Sequence, residues 1–220
     1  MRLALFDLDH TLLSGDSDVL WCDFLLGLGL LDPGFGERNR RMASAYTAGI
    51  VTPADYCNFY AGTLAGHDAA YWEPIREHFL SEVIRPRIPD DARALLQRHR
   101  DLGHTLVLTT ATNWVVSALT AADLGVDHYL ATEVEMIDGR FTGRTQGVLN
   151  MRTGKVERLR AWLQQHGHAE SVLRQATFYT DSINDLPLLS VVRSPVVVDP
   201  DPRLESAALR NGWKVLHFRR

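Results

Sequence analysis

The sequence predicts an α/β fold: a doubly wound, mostly parallel sheet with a block of helices inserted after its first strand. Three observations carry this. Leu3-Ala4-Leu5-Phe6 is an unbroken apolar run near the start of the chain, the pattern of a strand buried on both faces. From Ser14 to Ile84 the pattern is helical and nothing reads as a strand. From Pro89 onward, short apolar runs alternate with helical segments, which implies a parallel sheet covered by helices on both sides.

Each element has its own local reason. After the first strand, Ser14-Gly15-Asp16-Ser17-Asp18 is a polar turn rich in N-cap residues, and a helix is expected over 19–30. Leu31-Asp32-Pro33-Gly34 breaks it, and a second helix is expected over 37–48. Thr52-Pro53 offers a cap followed by proline at the first helical position, so a third helix should run from there to about Leu64 and stop at Gly66. A fourth is expected from about Asp68 to Val83. Arg85-Pro86-Arg87-Ile88-Pro89 reads as a rigid, extended return linker. Beyond it, helices are expected over 90–102, 113–124, 153–165, 185–192 and 203–210. Strands are expected over 105–109, 128–131, 177–180, 195–198 and 213–216. Asp138-Gly139, between Glu133–Met136 and Arg140–Gly143, is a hairpin signal.

Composition narrows the class of function. A chain of 220 residues can bury a sizeable core. Its net charge of −4, with no basic tract, points away from nucleic acid. No apolar stretch reaches the roughly 18 residues of a membrane span, and two aspartates interrupt the N-terminal run too early for a signal peptide. Cys22 and Cys57 have no metal or redox spacing and are expected to be reduced, buried thiols of a cytoplasmic protein. The sequence sets no oligomeric state.

The chemistry lies where strands end. Asp7 and Asp9 are two apart and start on the same side of the first strand. Buried unpaired, they would cost several kcal/mol or more, so they should meet a metal, a lysine or open water. The next strand ends in Thr110, a later one in Asp181 with Asp185 four residues on, and Lys155 opens a helix. In a doubly wound sheet these ends share one edge. Together they supply a carboxylate nucleophile, a second carboxyl, a hydroxyl, a lysine and a further carboxylate pair. That set suits phosphoryl transfer through an aspartyl phosphate, and its hard oxygen ligands suit Mg²⁺. Other acids have plainer readings: Asp16 serves equally as an N-cap or a substrate contact, and Asp18 reads as a first-turn helix acid. Arg38, Arg40 and Arg41 read as a solvated face, and Trp21 and Trp72 as packing between helices.

Asp7-Leu8-Asp9-His10-Thr11, Thr110, Lys155 and Thr180-Asp181-Ser182-Ile183-Asn184-Asp185 resemble the four ordered motifs of the haloacid dehalogenase superfamily. The insertion after the first motif resembles the helical-bundle cap of the phosphoserine phosphatase-like branch (subfamily IB), in which the Asp-Gly hairpin also recurs. The resemblance implies a Rossmannoid core over 1–14 and 86–220 and a cap over 15–85. It implies Asp7 as nucleophile and Mg²⁺ ligand, and Asp9 as general acid and then base, with its backbone carbonyl on Mg²⁺. Thr110 and Lys155 would hold the phosphoryl group, helped by the backbone N–H groups of Leu8 and Ala111. Asp181 would ligate Mg²⁺ and Asp185 would support it. The chain carries Thr180 and Ser182 where that branch has glycines, and Thr110-Ala111-Thr112 where it has Ser-Gly-Gly.

The function expected is Mg²⁺-dependent hydrolysis of a small phosphorylated metabolite, since a cap excludes bulk water and macromolecules. Asp16 stands where the branch carries a glutamate that meets a substrate ammonium, so an amine-bearing phosphomonoester, phosphoserine-like or histidinol-phosphate-like, is expected. The alternatives are a phosphotransferase to a small alcohol and a non-enzymatic phospho-receiver module. A receiver has no use for Asp9 or for a large cap, and a dehalogenase does not need Asp9.

Overall fold

The computed structural model describes residues 2–219. Seven strands form one sheet: β1 (Leu3–Phe6), β2 (Thr105–Asn113), β3 (His128–Ile137), β4 (Arg140–Gln146), β5 (Thr177–Thr180), β6 (Ser194–Val198) and β7 (Lys214–Leu216). Their order is β4-β3-β2-β1-β5-β6-β7. All neighbours are parallel except β3 and β4, which form the hairpin at Asp138-Gly139. β1 lies between β2 and β5, so the strand order reverses there. This is the crevice where doubly wound sheets take their ligands.

Alternation along β1 splits the core in two. Ala4 and Phe6 join Ala92 and Leu96 of α5 (Asp90–Asp101) and Val115, Val116 and Ala121 of α6 (Trp114–Leu124) on one face. Leu3 and Leu5 join Val156, Leu159 and Leu163 of α7 (Thr153–Gln165) on the other. Leu188 and Leu189 of α8 (Leu186–Leu189) and Leu204 and Ala208 of α9 (Pro202–Asn211) close that second face. Each fully buried side chain of this size contributes roughly 1.5–3 kcal/mol.

Between β1 and β2 lie α2 (Phe35–Thr47), α3 (Pro53–Ala61) and α4 (Ala69–Phe79), preceded by α1 (Ser17–Gly27). Trp21 is their centre: fully buried, it contacts Phe24, Trp72 and Phe79 at ring separations of 5.1–6.3 Å, and its indole N–H reaches the Thr63 hydroxyl at 3.2 Å. Thr52 caps α3 through Asp55 N–H with Pro53 at the first position, as the sequence predicts. This helical segment is tied to the hairpin. Gly66 N–H donates to Phe141 O and Phe141 N–H to His67 O, both at 2.9 Å. Asn58 Oδ1 accepts from Thr145 N–H and its hydroxyl at 2.8 and 3.0 Å. At Gly143 (φ +84°) a Cβ would lie 3.1 Å from the Ala65 Cβ and 3.2 Å from the Gly62 Cα, so the two parts meet backbone to backbone there.

Several expectations are corrected. The return linker is not extended: α4 passes into a π-helical turn over 80–84 and a 3₁₀ turn over Arg85–Arg87, and only Ile88 and Pro89 are extended. Pro86 sits in the first turn, where its missing N–H costs nothing, and Arg85 Nε anchors the turn to Asp123 at 2.7 Å. β2 runs four residues past Thr109, through a register slip against β3. The two short strands expected around Thr132 are one strand, because Thr132 accepts Asn150 N–H at 3.1 Å and the chain pairs onward into the hairpin. The helix expected over 185–192 shrinks to a 3₁₀ turn at Ile183–Asp185 plus α8. A 3₁₀ segment at Glu170–Gln175 was not foreseen.

One buried polar pair links α5 to the sheet. His99, 5 % exposed, lies 2.8 Å from the Tyr179 hydroxyl through Nε2 and 2.8 Å from His104 Nδ1 through its own Nδ1. Burial, with repulsion from His104 and Arg98, pushes its imidazole down to about 4. The folded state thus holds His99 neutral where the unfolded chain would protonate it. Its contribution to stability is whole above about pH 6.5 and is lost as the pH falls toward 4. An NMR titration should show the His99 ring unprotonated through pH 5; a midpoint near 6.5 would contradict the buried arrangement.

Candidate active site

The chain leaving β1 folds into a tight knot that sets the first two acids. Asp7 N–H still pairs with Tyr179 O of β5 at 2.9 Å. Leu8, fully buried, turns its carbonyl to the N–H groups of Thr11, Leu12 and Leu13 at 3.2, 2.9 and 2.9 Å. Leu12 and Leu13 are buried without exposure, so apolar packing holds the turn. His10 takes a left-handed conformation (φ +56°) to complete it.

Asp9 is gripped from two sides. Its Oδ1 accepts Ser17 N–H at the start of α1 at 2.7 Å, and its Oδ2 accepts the Thr112 hydroxyl at 2.8 Å. Ser17 and Thr112 are themselves 2.9 Å apart, hydroxyl to hydroxyl. Thr110 Oγ1 lies 3.4 Å from Asp9 Oδ2 and accepts Thr112 N–H at 3.2 Å. The end of β2 and the start of α1 thereby fix this carboxyl's rotamer.

Lys155 enters from the first turn of α7. Its ammonium, 3 % exposed, sits 2.7 Å from Asp7 Oδ1 and 2.7 Å from Asp185 Oδ2. The Thr180 hydroxyl adds 2.8 Å to the same Asp185 oxygen. Two devices position the helix start. A Cβ at Gly154 would fall 2.0 Å from the Leu149 carbonyl, so only glycine permits that approach. Asn150, fully buried, donates to Thr109 Oγ1, Thr110 O and Leu130 O at 3.0, 2.9 and 2.9 Å, tying the segment before α7 to β2 and β3.

The electrostatics follow from burial and charge count. Burial raises the Asp7 carboxyl to about 7; Lys155 opposes that, while Asp185 and Asp9 add to it. Burial likewise lifts Asp181 well above the carboxylate range, with Asp7 and Asp185 adding to the rise. Burial alone would lower the Lys155 ammonium, but Asp185 and Asp7 together outweigh it and hold it above the ordinary lysine value. The acids outnumber the ammonium that pairs with them. Thr11 Oγ1 lies 3.2 Å from Asp7 Oδ2 and 3.1 Å from Asp181 Oδ1, so its single proton bridges two carboxylates. It also accepts Asp181 N–H at 3.0 Å.

A cavity of about 850 Å³ opens on this edge, bordered by Asp7, Asp9, Asp16, Ala111, Lys155, Asp181 and Asp185. Thr110 and Leu8 are buried behind it rather than on its wall. Asp16 caps α1: Oδ1 accepts Val19 N–H at 3.0 Å and Oδ2 accepts the Tyr56 hydroxyl at 3.1 Å. Burial, then the Asp9 charge, raises it to about 6. Sequence reasoning gave no role to Thr11, Ser17, Thr112 or Thr180, which hold the acids in place. Thr11 and Thr180 stood inside the quoted motifs, and Thr112 two residues from Thr110, so a search for hydroxyls beside the acids would have found them. Asp18 lies in the first turn of α1, as expected, and is buried. Among the described residues, no three His, Cys, Asp or Glu side chains converge as a ready cage for a metal ion.

The sheet's reversal point thus gathers acids that follow two of its strands around one lysine. The family model of haloacid dehalogenase-like hydrolases matches residues 4–190, and the chain belongs to that family, as one of its phosphatases. A histidinol-phosphatase of Neisseria meningitidis serogroup C is 34% identical over 220 residues, spanning 99% of both chains. A phosphoserine phosphatase of Mycobacterium tuberculosis is 32% identical over 225 residues, covering 98% of this chain and 70% of its own. Among solved structures, a protein of unknown function from Bordetella pertussis Tohama I superposes with TM-score 0.93 at 41% identity, covering 98% of this chain and 97% of that one. A substrate-bound phosphoserine phosphatase shares the fold at TM-score 0.72 and 16% identity, covering 98% and 92%.

Removing Lys155 would strand two buried carboxylates. Lys155→Met should cost about 3–5 kcal/mol in urea unfolding with chelator present, and Lys155→Met/Asp185→Leu should regain part of it. Additive losses in the double variant would show that the acids do not share the ammonium.

Proposed function

We propose that this chain hydrolyses a small, amine-bearing phosphomonoester, with Mg²⁺, through a phosphoryl group carried on Asp7. The observation that carries the reading is the placement of Asp7. It ends the central strand, with Lys155 on one oxygen at 2.7 Å, Thr11 on the other at 3.2 Å, and Asp9 held apart by Ser17 and Thr112. An Asp7 oxygen attacks phosphorus, the ester P–O bond breaks, and the Asp9 carboxyl gives its proton to the departing alkoxide. Water then attacks phosphorus, Asp9 takes its proton, and the bond to Asp7 breaks to release phosphate. The two Asp9 oxygens are held by different elements, Oδ1 by Ser17 N–H and Oδ2 by the Thr112 hydroxyl. Lys155 keeps Asp7 oriented and offsets charge on the phosphoryl oxygens, with Thr110, Ala111 and the Leu8 backbone as further candidates to hold that group.

The family is generally Mg²⁺-dependent, and the donor set here fits the ion. Asp7 and Asp181 converge on one hydroxyl, and burial and repulsion from neighbouring carboxylates raise both. Such a hard-oxygen, negative excess suits Mg²⁺. The two carboxylates and the Asp9 backbone carbonyl would hold it, with Asp185 in support, since one Asp185 oxygen already serves Lys155 and Thr180. The bound ion would supply positive charge to the phosphoryl oxygens.

Residues 15–85 act in this reading as a cap over the core formed by 1–14 and 86–220. Tyr46 and Tyr56, from α2 and α3, border the cavity opposite the strand ends. The Neisseria and Mycobacterium relatives are named for histidinol phosphate and phosphoserine, both amine-bearing alkyl phosphates. Asp16 brings a negative charge to the side of the cavity where such an amine would lie. Among the described residues no helix is long and apolar enough to cross a membrane, and the buried free thiols Cys22 and Cys57 suit a reducing, cytoplasmic setting.

A panel of phosphorylated metabolites assayed with and without Mg²⁺ tests the reading, with histidinol phosphate and phosphoserine at its head. Asp7→Asn should lose all but a few per cent of turnover while its circular dichroism stays native, because an amide is a far poorer nucleophile and metal ligand. Retained activity, with deamidation excluded by mass spectrometry, would remove the covalent route.

Asp9→Asn should lose about 10²–10⁴-fold on an alkyl phosphate and much less on p-nitrophenyl phosphate, whose leaving group needs little protonation. Equal losses would show that Asp9 is not the acid.

A further inference from the structure

The end of the parallel sheet opposite the acids carries a second group of ligating side chains. His128 opens β3, and His166 follows the last turn of α7. Both rings pack against Trp162, each with its centroid 4.7 Å from that ring, and they lie 5.3 Å from each other. Lys155 stands in the first turn of the same helix, whose thirteen residues span about 20 Å. The histidine pair is therefore remote from the cavity and takes no part in the reaction proposed above.

Hydrogen bonding decides which His166 nitrogen is available. Its Nδ1 lies 2.8 Å from the Trp162 carbonyl oxygen, which can only accept, so Nδ1 carries the proton. In the neutral ring Nε2 then keeps its lone pair. A backbone carbonyl on one imidazole nitrogen is the device that orients a histidine for a metal on the other. Packing on Trp162 uses the ring faces and leaves Nε2 to other ligands. His166 is exposed, so an ion in solvent can reach it, and His128 is half-buried beside it. Asp127, next to His128 in the chain, brings a negative charge to the same surface.

The spacing fits a single ion. With metal–nitrogen bonds of about 2.0–2.1 Å, two imidazoles at a tetrahedral angle on one ion have ring centroids roughly 5 Å apart. The observed separation of His128 and His166 is 5.3 Å. Nitrogen donors suit zinc, nickel and copper, whereas Mg²⁺ prefers oxygen. His168 is set further out, 6.5 Å from the Trp162 ring.

We propose that His128 and His166 together bind one divalent transition ion of the zinc, nickel and copper class, with water filling its remaining positions. The site offers two protein donors rather than a closed cage, so the ion stays open to solvent and to exchange.

Cu²⁺ is the probe, titrated into the whole chain in millimolar Mg²⁺, which competes for the oxygen donors of the acids. Calorimetry should show one equivalent bound, and the electron paramagnetic resonance spectrum of the bound ion should carry hyperfine structure from imidazole nitrogen, which a carboxylate site does not give. His128→Gln and His166→Gln should each weaken this binding about tenfold or more and remove the two-nitrogen signature. His168→Gln, which takes an imidazole from the same surface without taking a donor, should leave both unchanged. Circular dichroism of each variant without Cu²⁺ checks that the fold is intact, and either of the first two variants decides the question if the other misfolds. The proposal is overturned if wild type binds no Cu²⁺ in the presence of Mg²⁺, if the bound ion shows oxygen ligands alone, or if the His128 and His166 variants bind as wild type does.

Discussion

The Lys155 ammonium, bonded at 2.7 Å to both Asp7 and Asp185, is the interaction on which the rest of the site depends. It joins the end of β1 and the 3₁₀ turn at Ile183–Asp185 to α7, three segments far apart in sequence. Without it the central strand would end in a cluster of carboxylates too costly to bury. Much of the surrounding architecture can be understood as delivering that lysine: the glycine that lets α7 approach the Leu149 carbonyl, and the Asn150 side chain that pins the preceding turn to β2 and β3. The threonines at 11 and 180 play the matching part for the acids, fixing oxygens that repulsion would otherwise push apart.

This division of labour separates orientation from charge. Asp7 is held by a cation and Asp9 by a hydroxyl and a backbone N–H, so two carboxyls two residues apart experience different surroundings. Neighbouring acids with unlike environments can hold unlike roles. The knot after β1 makes the difference possible by turning Asp9 out of the strand toward α1.

Most of the fold was legible because its signals are local. The apolar run of β1, Thr52-Pro53, Asp138-Gly139 and the glycines closing helices each act within a few residues. What escaped depends on distant partners. The linker reads as extended from its prolines, yet Asp123 holds it as a helical turn through Arg85. The strand through Thr132 reads as two pieces because its continuity depends on Asn150, eighteen residues on. The same limit applied to the site. Charged residues in motif order were visible, whereas Ser17 and Thr112 matter only through their contact with Asp9. Asp18 does stand in the first turn of α1, as its sequence position implies; its burial was not legible, because which way the turn faces is decided by packing.

The backbone contacts between the hairpin and the 62–67 stretch bear on how this architecture can be recombined. Residues 62 and 65 abut Gly143, and the main chain at 66 and 67 pairs with Phe141 as an extra rung would. The helical segment is therefore not an independent cassette bounded by its two crossings of the chain. Its natural seam includes β3 and β4, some seventy residues downstream. A hybrid that imports the helices alone would inherit a mismatched joint at Gly143, whereas one that carries the hairpin with them would transplant an intact unit.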